Sequence, residues 1–257
     1  MKSQSLLAKR FVPEAGVSLI ELLVGLTIGA LVSVAAVGSF GPTRSASATL
    51  GDSTRLQQDA AMAFRIIGHH FRQAGAMRLV DFGPGLVTFN ATFEGYGNAL
   101  EPRALNGVDG GNNNPDVLQI SHDSEVTLNA VDCLGQNLPI NVAIDNQFDL
   151  NLANQSLRCL GSGNAIPGPL IAGVEDFQVR YGRRINDNLQ YQDASAAWTA
   201  TEWNSVESVI VCLRMAGLVG GHAGQAMAGC NGEAIANDGR RNKAGTSTWR
   251  AMRVNGR

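Results

Sequence analysis

The sequence predicts an α+β fold in which a long N-terminal helix packs on an antiparallel β-sheet domain. The first observation is a run at residues 17–40 that is apolar, small or hydroxylic except for Glu21. The second is that apolar side chains recur at helical spacing from residue 56 to residue 74. The third is that strand-like runs separated by Gly, Asn and Pro follow from about residue 78. With 257 residues, of which 44% are hydrophobic and 16% charged, the chain is typical of a globular protein rather than a disordered one.

The first apolar run is long enough to cross a membrane. Its 24 residues would extend about 36 Å as a helix, against a hydrocarbon core of about 30 Å. Lys9 and Arg10 precede it and predict that this end stays in the cytoplasm. A secretory signal is the first alternative, but the plausible junction, Gly16-Val17, lies before the apolar core. A cut there would keep the run in the mature protein.

Glu21 requires an explanation, because a carboxylate inside such a run costs about 2.5 to 3.5 kcal/mol on membrane-insertion scales. The segment AGVSLIELLVGLTIGAL, residues 15–31, resembles the class III signal of type IV pilins and type II secretion pseudopilins. The resemblance implies that prepilin peptidase cuts after Gly16 and methylates the new N-terminus, Val17, where Phe is commoner in the family. It also implies that Glu21 pairs with the α-amine of a neighbouring subunit. The alternative is an uncleaved anchor with Glu21 near the membrane interface.

Two helical segments are expected in succession. Gly41-Pro42 is expected to end or kink the first. The second has one apolar stripe, with Asp52 or Ser53 as a cap at its start and Gly75 closing its end. The stripe consists of Leu56, Ala60, Ala63, Ile67, Phe71 and Ala74. These segments predict a leader at 1–16, a transmembrane and filament-core helix at 17–41, an amphipathic continuation at 42–78, and a β-rich periplasmic domain at 79–257.

Seven runs in the β-rich region have strand-like composition. They are Leu86–Phe93, Val117–Ser121, Glu125–Val131, Gln147–Leu152, Leu157–Leu160, Asp176–Tyr181 and Val206–Met215. Alternation is clearest in DFQVRY, which places Phe177, Val179 and Tyr181 on one face of a strand.

Four cysteines, with none within three residues of another, favour disulfides over zinc in an oxidising compartment. We expect Cys133 to pair with Cys159 and Cys212 with Cys230, the sequential choice among three connectivities. Such bonds contribute about 3 to 3.5 kcal/mol each in the chain-entropy model. The alternative is a zinc site made from Cys212, His222 and Cys230, but that spacing does not match known structural zinc modules.

Five further stretches are similar in order and spacing to the PilW family of minor pilins. They are residues 57–77, 132–136, 157–161, 173–182 and 206–215. The ending, Met-Arg-Val-Asn, departs from the family's Leu-Arg-Asn, so the resemblance does not decide whether the last strand is present. The resemblance implies a structural subunit, not an enzyme, that joins other minor pilins and the major pilin at the inner-membrane assembly platform. It would prime the pilus and cap its tip, without a cofactor or metal. A J-type pseudopilin of type II secretion, or a tip adhesin or DNA-binding minor pilin, is the alternative.

The remaining polar clusters predict no catalytic site. His69 and His70 point about 100° apart on a helix, so they are expected to be solvated or partly packed. The loop VDGGNNNPD, residues 108–116, is rich in oxygen ligands but lacks EF-hand spacing, so a surface loop is expected rather than a calcium site. Gly51-Asp52-Ser53 resembles a lipase triplet, but it lies at a predicted helix start, where Asp and Ser are common N-cap residues. The basic C-terminus is expected to be a solvated sheet edge rather than a nucleic-acid site. Its cations are Arg240, Arg241, Lys243, Arg250, Arg253 and Arg257.

Overall fold

The computed structural model describes most of the chain. The described residues are 16–81, 83–89, 95–98, 101–112, 114–123, 131–138, 142–217, 227–232, 234–235 and 248–253. The chain divides into two compact units, residues 1–48 and 49–257, and each is described by itself.

The sequence predicted that Gly41-Pro42 ends or kinks the first helix. Helix α1 spans Leu19–Gln73 without a break, so the predicted ending is wrong, and the kink stays a prediction. A proline removes one amide donor, and this loss does not terminate a helix that is hydrogen-bonded on both sides. The predicted cap at Asp52 or Ser53 is also wrong, because both residues lie inside α1. The Asp52 carboxylate instead accepts a hydrogen bond from the Arg55 guanidinium at 3.3 Å.

The end of α1 agrees with its sequence signal. Gly75 follows the helix with φ of +72°, a left-handed conformation that glycine adopts without steric cost. Its amide donates to the carbonyl of Ser121 at 2.9 Å, and the Ala76 amide donates to the Gln73 carbonyl at 2.8 Å. This turn directs the chain away from the helix toward the sheets.

The part of α1 within the second unit buries one face in the core of that unit. All six residues of the predicted stripe, from Leu56 to Ala74, are at most 5% exposed, so the predicted stripe is confirmed. Phe64 and His70 are buried on the same helix, although the sequence pattern did not identify them. Burial of this face removes apolar surface from water and holds the helix against the sheets.

Fifteen strands and one short helix follow α1 in the described part of the chain. The strands that begin before residue 160 are β1 (Leu79–Asp81), β2 (Val87–Phe89), β3 (Tyr96–Asn98), β4 (Glu101–Arg103), β5 (Leu105–Val108), β6 (Val117–Asp123), β7 (Ala143–Asn151) and β8 (Ser156–Gly161). The later elements are β9 (Gly168–Ala172), β10 (Val174–Ile185), β11 (Asn188–Gln192), α2 (Ala200–Asn204), β12 (Val206–Met215), β13 (Met227–Ala228), β14 (Ala234–Ile235) and β15 (Thr248–Arg253).

These strands form two main antiparallel sheets. The first has five strands in the order β5-β6-β7-β8-β9, and the second has four in the order β11-β10-β12-β15. Three two-stranded pairs, β1-β2, β3-β4 and β13-β14, complete the described pairing. Residues of α1 and of both main sheets belong to one apolar cluster. The predicted fold class, a long N-terminal helix followed by an antiparallel sheet domain, is confirmed.

The predicted strands agree with the observed strands to different degrees. Strands β6, β8, β10 and β12 contain their predicted runs, whereas β7 begins before its predicted run and ends one residue before Leu152. Leu86–Phe93 matches only at β2, and residues 90–93 lie outside the described part. Glu125–Val131 also falls mostly outside it, and Val131 forms an isolated bridge with Asn137.

Strand β10 carries the predicted buried face. Phe177, Val179 and Tyr181 are each at most 1% exposed, which confirms the alternation in DFQVRY. Asp176 and Gln178, on the opposite face, are also buried. This strand is therefore covered on both sides, and its second face requires polar partners.

Candidate assembly site

The N-terminal part of α1 presents apolar side chains to solvent. Every described side chain from Gly16 to Gly41 is exposed, and the large aliphatic residues from Val17 to Val37 are between 50% and 79% exposed. In the part of the chain that the structure describes, α1 alone is long and apolar enough to cross a membrane by length and composition. Such an exposed apolar surface requires a membrane or other protein to cover it.

Glu21 lies in the first turn of α1, next to a cap that the sequence reasoning missed. The Ser18 hydroxyl accepts a hydrogen bond from the Glu21 amide at 3.2 Å, and the Ser18 carbonyl accepts one from the Leu22 amide at 3.2 Å. The spacing S-x-x-E was the available signal, because it is the pattern of a capping box. A carboxylate in the first turn also interacts favourably with the helix dipole. The cap uses the backbone of Glu21, and its side chain remains exposed.

Gly16 and Val17 precede the first helical residue, and space is open around them. A Cβ atom added at Gly16 would meet no atom within 4 Å, and the same holds at Gly25 inside α1. Packing within the described chain therefore does not require glycine at position 16. A requirement for glycine at position 16 would come from another molecule that binds or cleaves this segment.

Two disulfides connect the sheets to their loops. Cys133 is bonded to Cys159 on β8, with Cα atoms 6.3 Å apart. Cys212 on β12 is bonded to Cys230, with Cα atoms 5.8 Å apart. Sulfur atoms joined in this way are not thiolate ligands, which removes the zinc alternative at Cys212 and Cys230. His222 lies outside the described residues.

The oxygen-rich loop before β6 is fixed to the second sheet by Asp116. The Asp116 carboxylate accepts hydrogen bonds from the amides of Gly110 at 2.9 Å and Val179 at 2.7 Å. Burial raises the pKa of Asp116 from 3.8 to about 6, while these two amide bonds lower it. The loop is therefore held by two backbone donors, one from the loop itself and one from β10. Asn113, within the same loop, lies outside the described residues.

A buried amide, Gln178, joins this loop to the second disulfide. Its side-chain nitrogen donates to the Asn114 carbonyl at 2.8 Å and to the Asp176 carboxylate at 2.9 Å. Its oxygen accepts from the Asn231 side chain at 3.3 Å. Strand composition gave no signal for this network, because Gln and Asp on a strand ordinarily indicate a solvent-facing side.

The adjacent histidines of α1 have different environments. His69 is exposed, whereas His70 is 2% exposed and packs in the interior of the second unit. The expectation of a solvated or partly packed pair therefore describes His69 but not His70. No group of three or more His, Cys, Asp or Glu side chains is arranged to hold a metal ion in the described ranges.

Strand β15 is an edge of the four-stranded sheet within the described residues. Arg250 and Arg253 are opposite Val211 and Ser208 of β12 in the strand register. The other four basic residues of the C-terminal group lie outside the described residues, so the structure does not show one basic surface.

Comparison with known proteins gives a match at the N-terminal segment. Residues 13–37 match the prokaryotic N-terminal methylation motif. No curated protein sequence matches the chain. Among solved structures, a type IV-like pilin from Thermus thermophilus aligns with 78% of this chain and 95% of its own, at 13% identity and a TM-score of 0.49. The chain carries an N-terminal methylation motif of the type IV pilin signal, which implies processing by prepilin peptidase and assembly with other pilins.

Proposed function

We propose that this protein is a minor pilin of the PilW type, a structural subunit that takes part in type IV pilus assembly. The observation that carries the proposal is the methylation motif joined directly to an exposed apolar helix whose first turn contains Glu21. In this proposal the protein joins other minor pilins and the major pilin at the inner-membrane platform. It primes the filament and remains at the tip.

Processing by prepilin peptidase would separate Gly16 from Val17 and methylate the Val17 amine. Residues 1–16 would be the leader, and residues 17–41 would lie in the inner membrane before assembly and in the filament core afterwards. Residues 42–78 would continue the helix, and residues 79–257 would form the periplasmic domain. The methylation motif matches residues 13–37 and includes this junction, which supports the assignment.

Glu21 would pair with the Val17 amine of a neighbouring subunit. The exposed carboxylate makes no ion pair with another described residue of its own chain. In a bundle of apolar helices an uncompensated carboxylate is strongly unfavourable, and breaking a buried pair costs about 3 to 5 kcal/mol. The pair would therefore set the axial register between neighbouring subunits.

The function is tested by deleting the gene and counting surface pili. We expect few or no pili in the deletion strain and restoration by the wild-type gene. Glu21→Gln keeps the size of the side chain and the Ser18 cap but removes the charge, so we expect it to restore few pili. Normal piliation in the deletion strain would contradict the assembly role, and loss of protein secretion with normal piliation would favour the pseudopilin alternative.

Processing has its own test with a matched control. Gly16→Leu is expected to block cleavage, because a side chain is placed at the proposed junction. Gly25→Leu adds the same side chain where the described chain is equally open, and it should be cleaved normally. Mass spectrometry of the membrane-bound protein distinguishes the two forms. Equal cleavage of both variants would place the junction elsewhere.

A further inference from the structure

Two histidines meet where the second half of α1 packs on the five-stranded sheet. His70 of α1 is 2% exposed, and His122 of β6 is 3% exposed. Their rings are stacked, with centroids 5.9 Å apart and planes inclined by 18°. The Phe148 ring of β7 lies 6.4 Å from the His70 ring.

The His70 ring is also connected to the first disulfide loop. Its Nδ1 atom lies 3.3 Å from the Asn146 side-chain nitrogen of β7. The Asn146 oxygen accepts a hydrogen bond from the Cys133 amide at 2.7 Å. Because the amide nitrogen is a donor, this contact favours the tautomer in which His70 Nδ1 is unprotonated. A proton added at Nδ1 would place two donors face to face.

Among the groups around the two rings, Asp123 favours a cation at His122, whereas the neighbouring groups at His70 disfavour one. On α1 the neighbouring titratable group is His69, and on β6 it is Asp123, whose backbone carbonyl lies 3.2 Å from His122 Nδ1. Strand β7 contributes Asn146 and Phe148, which are uncharged, and the disulfide does not titrate. No described carboxylate forms an ion pair with His70, and His122 Nε2 has no hydrogen-bond partner among the described residues.

We propose that His70 and His122 form a pH-sensitive contact that releases the second half of α1 from the five-stranded sheet in acid. Protonation of either ring places a cation in an apolar, desolvated contact, and protonation of both adds repulsion between stacked rings. Opening the contact rehydrates both imidazoliums and separates them. The same helix face carries the apolar stripe, so its release would expose the core of the unit.

The direction of the pKa shifts agrees with this geometry. Burial lowers the pKa of His70 from 6.5 to about 3, with a further lowering from His122 and His69, and burial also lowers the pKa of His122. For a base whose folded pKa is lowered, stability is complete above pH 6.5 and declines as pH falls toward 3. His70 alone should raise the unfolding constant about 25-fold between pH 7 and pH 5.

The experiment compares His70→Gln with His69→Gln in the full chain in detergent micelles. Denaturant unfolding is measured at pH 7 and pH 5, and the ratio of unfolding constants is calculated for each protein. We expect the wild type and His69→Gln to show ratios at least tenfold larger than His70→Gln. The proposal would be overturned if the ratio of unfolding constants for the wild type were less than tenfold larger than the ratio for His70→Gln. Comparing variants removes the contribution of groups that titrate in all three proteins.

A second measurement keeps the proposal testable if His70→Gln does not fold. NMR of the wild-type His70 ring at pH 5 should show a neutral imidazole in the folded protein. Hydrogen exchange at lower pH, corrected for intrinsic rates, should rise first in residues 56–73 and β6, before β10 and β12. A His70 ring that is protonated at pH 5 in the folded protein, or exchange that rises equally in all these elements, would overturn the proposal.

Discussion

Replacing Ile67 by Ala tests whether the second half of α1 is a structural part of the globular unit. The Ile67 side chain is 0% exposed and lies in the apolar cluster with both sheets. Truncation removes three carbon atoms, worth about 0.8 kcal/mol each on transfer, and leaves a cavity. We therefore expect a loss of about 2 to 5 kcal/mol in the free energy of unfolding, which is at least a 30-fold change in the unfolding constant.

Met62→Ala is the matched control, because Met62 lies on the same helix and its side chain is 51% exposed. Its expected effect is within about 0.5 kcal/mol. Unfolding of the full chain in detergent by urea is followed by the fluorescence of Trp203, which is 2% exposed. A loss for Ile67→Ala no larger than that for Met62→Ala would refute the packing of α1 on the sheets.

Three further predictions concern the turn, the loop and the second disulfide. Gly75→Ala should destabilise by about 1 to 2 kcal/mol in denaturant unfolding, because φ there is +72°; Gly51→Ala, inside α1 with no atom within 4 Å of the added Cβ, should stabilise instead. Asp116 has a raised pKa of about 6, so its contribution to stability is complete below pH 3.8 and lost as pH rises through 6. When the pH is lowered from 7 to 5, the folding constant of the wild type should therefore rise about tenfold relative to that of Asp116→Asn. Equal pH profiles of the two proteins would contradict this. Replacing both Cys212 and Cys230 by Ala should cost about 3 kcal/mol in the same assay, and an unchanged denaturation midpoint would contradict the disulfide's role.

Elements with a strong period were predictable from the sequence. The apolar stripe of α1 and the alternation in β10 each place several residues on one face, and a shift in period would bury polar groups. Gly75 was predictable as well, because a left-handed residue is the common end of a helix. At the candidate site, the coincidence of Glu21 with an apolar run and a preceding glycine was readable from the residues alone.

Other features depend on contacts between segments far apart in sequence. His70 is buried because β6 and β7 cover it, and Gln178 because residues 114 and 231 supply its partners. No local pattern distinguishes these residues from solvated ones. The continuity of α1 through Pro42 is not evident from the local sequence, because Gly-Pro is a helix-ending signal that the helical residues on both sides outweigh. Short pairs such as β3-β4 and β13-β14 carry too few residues to show a period.

The proposed role as a filament subunit is tested most directly by mass spectrometry of pili sheared from the cell surface. We predict that these filaments contain this chain, and that its N-terminal peptide begins at a methylated Val17. Absence of the chain from sheared pili and from their tips, or an N-terminal peptide that still includes residues before Val17, would contradict the claim that the processed protein is a filament subunit.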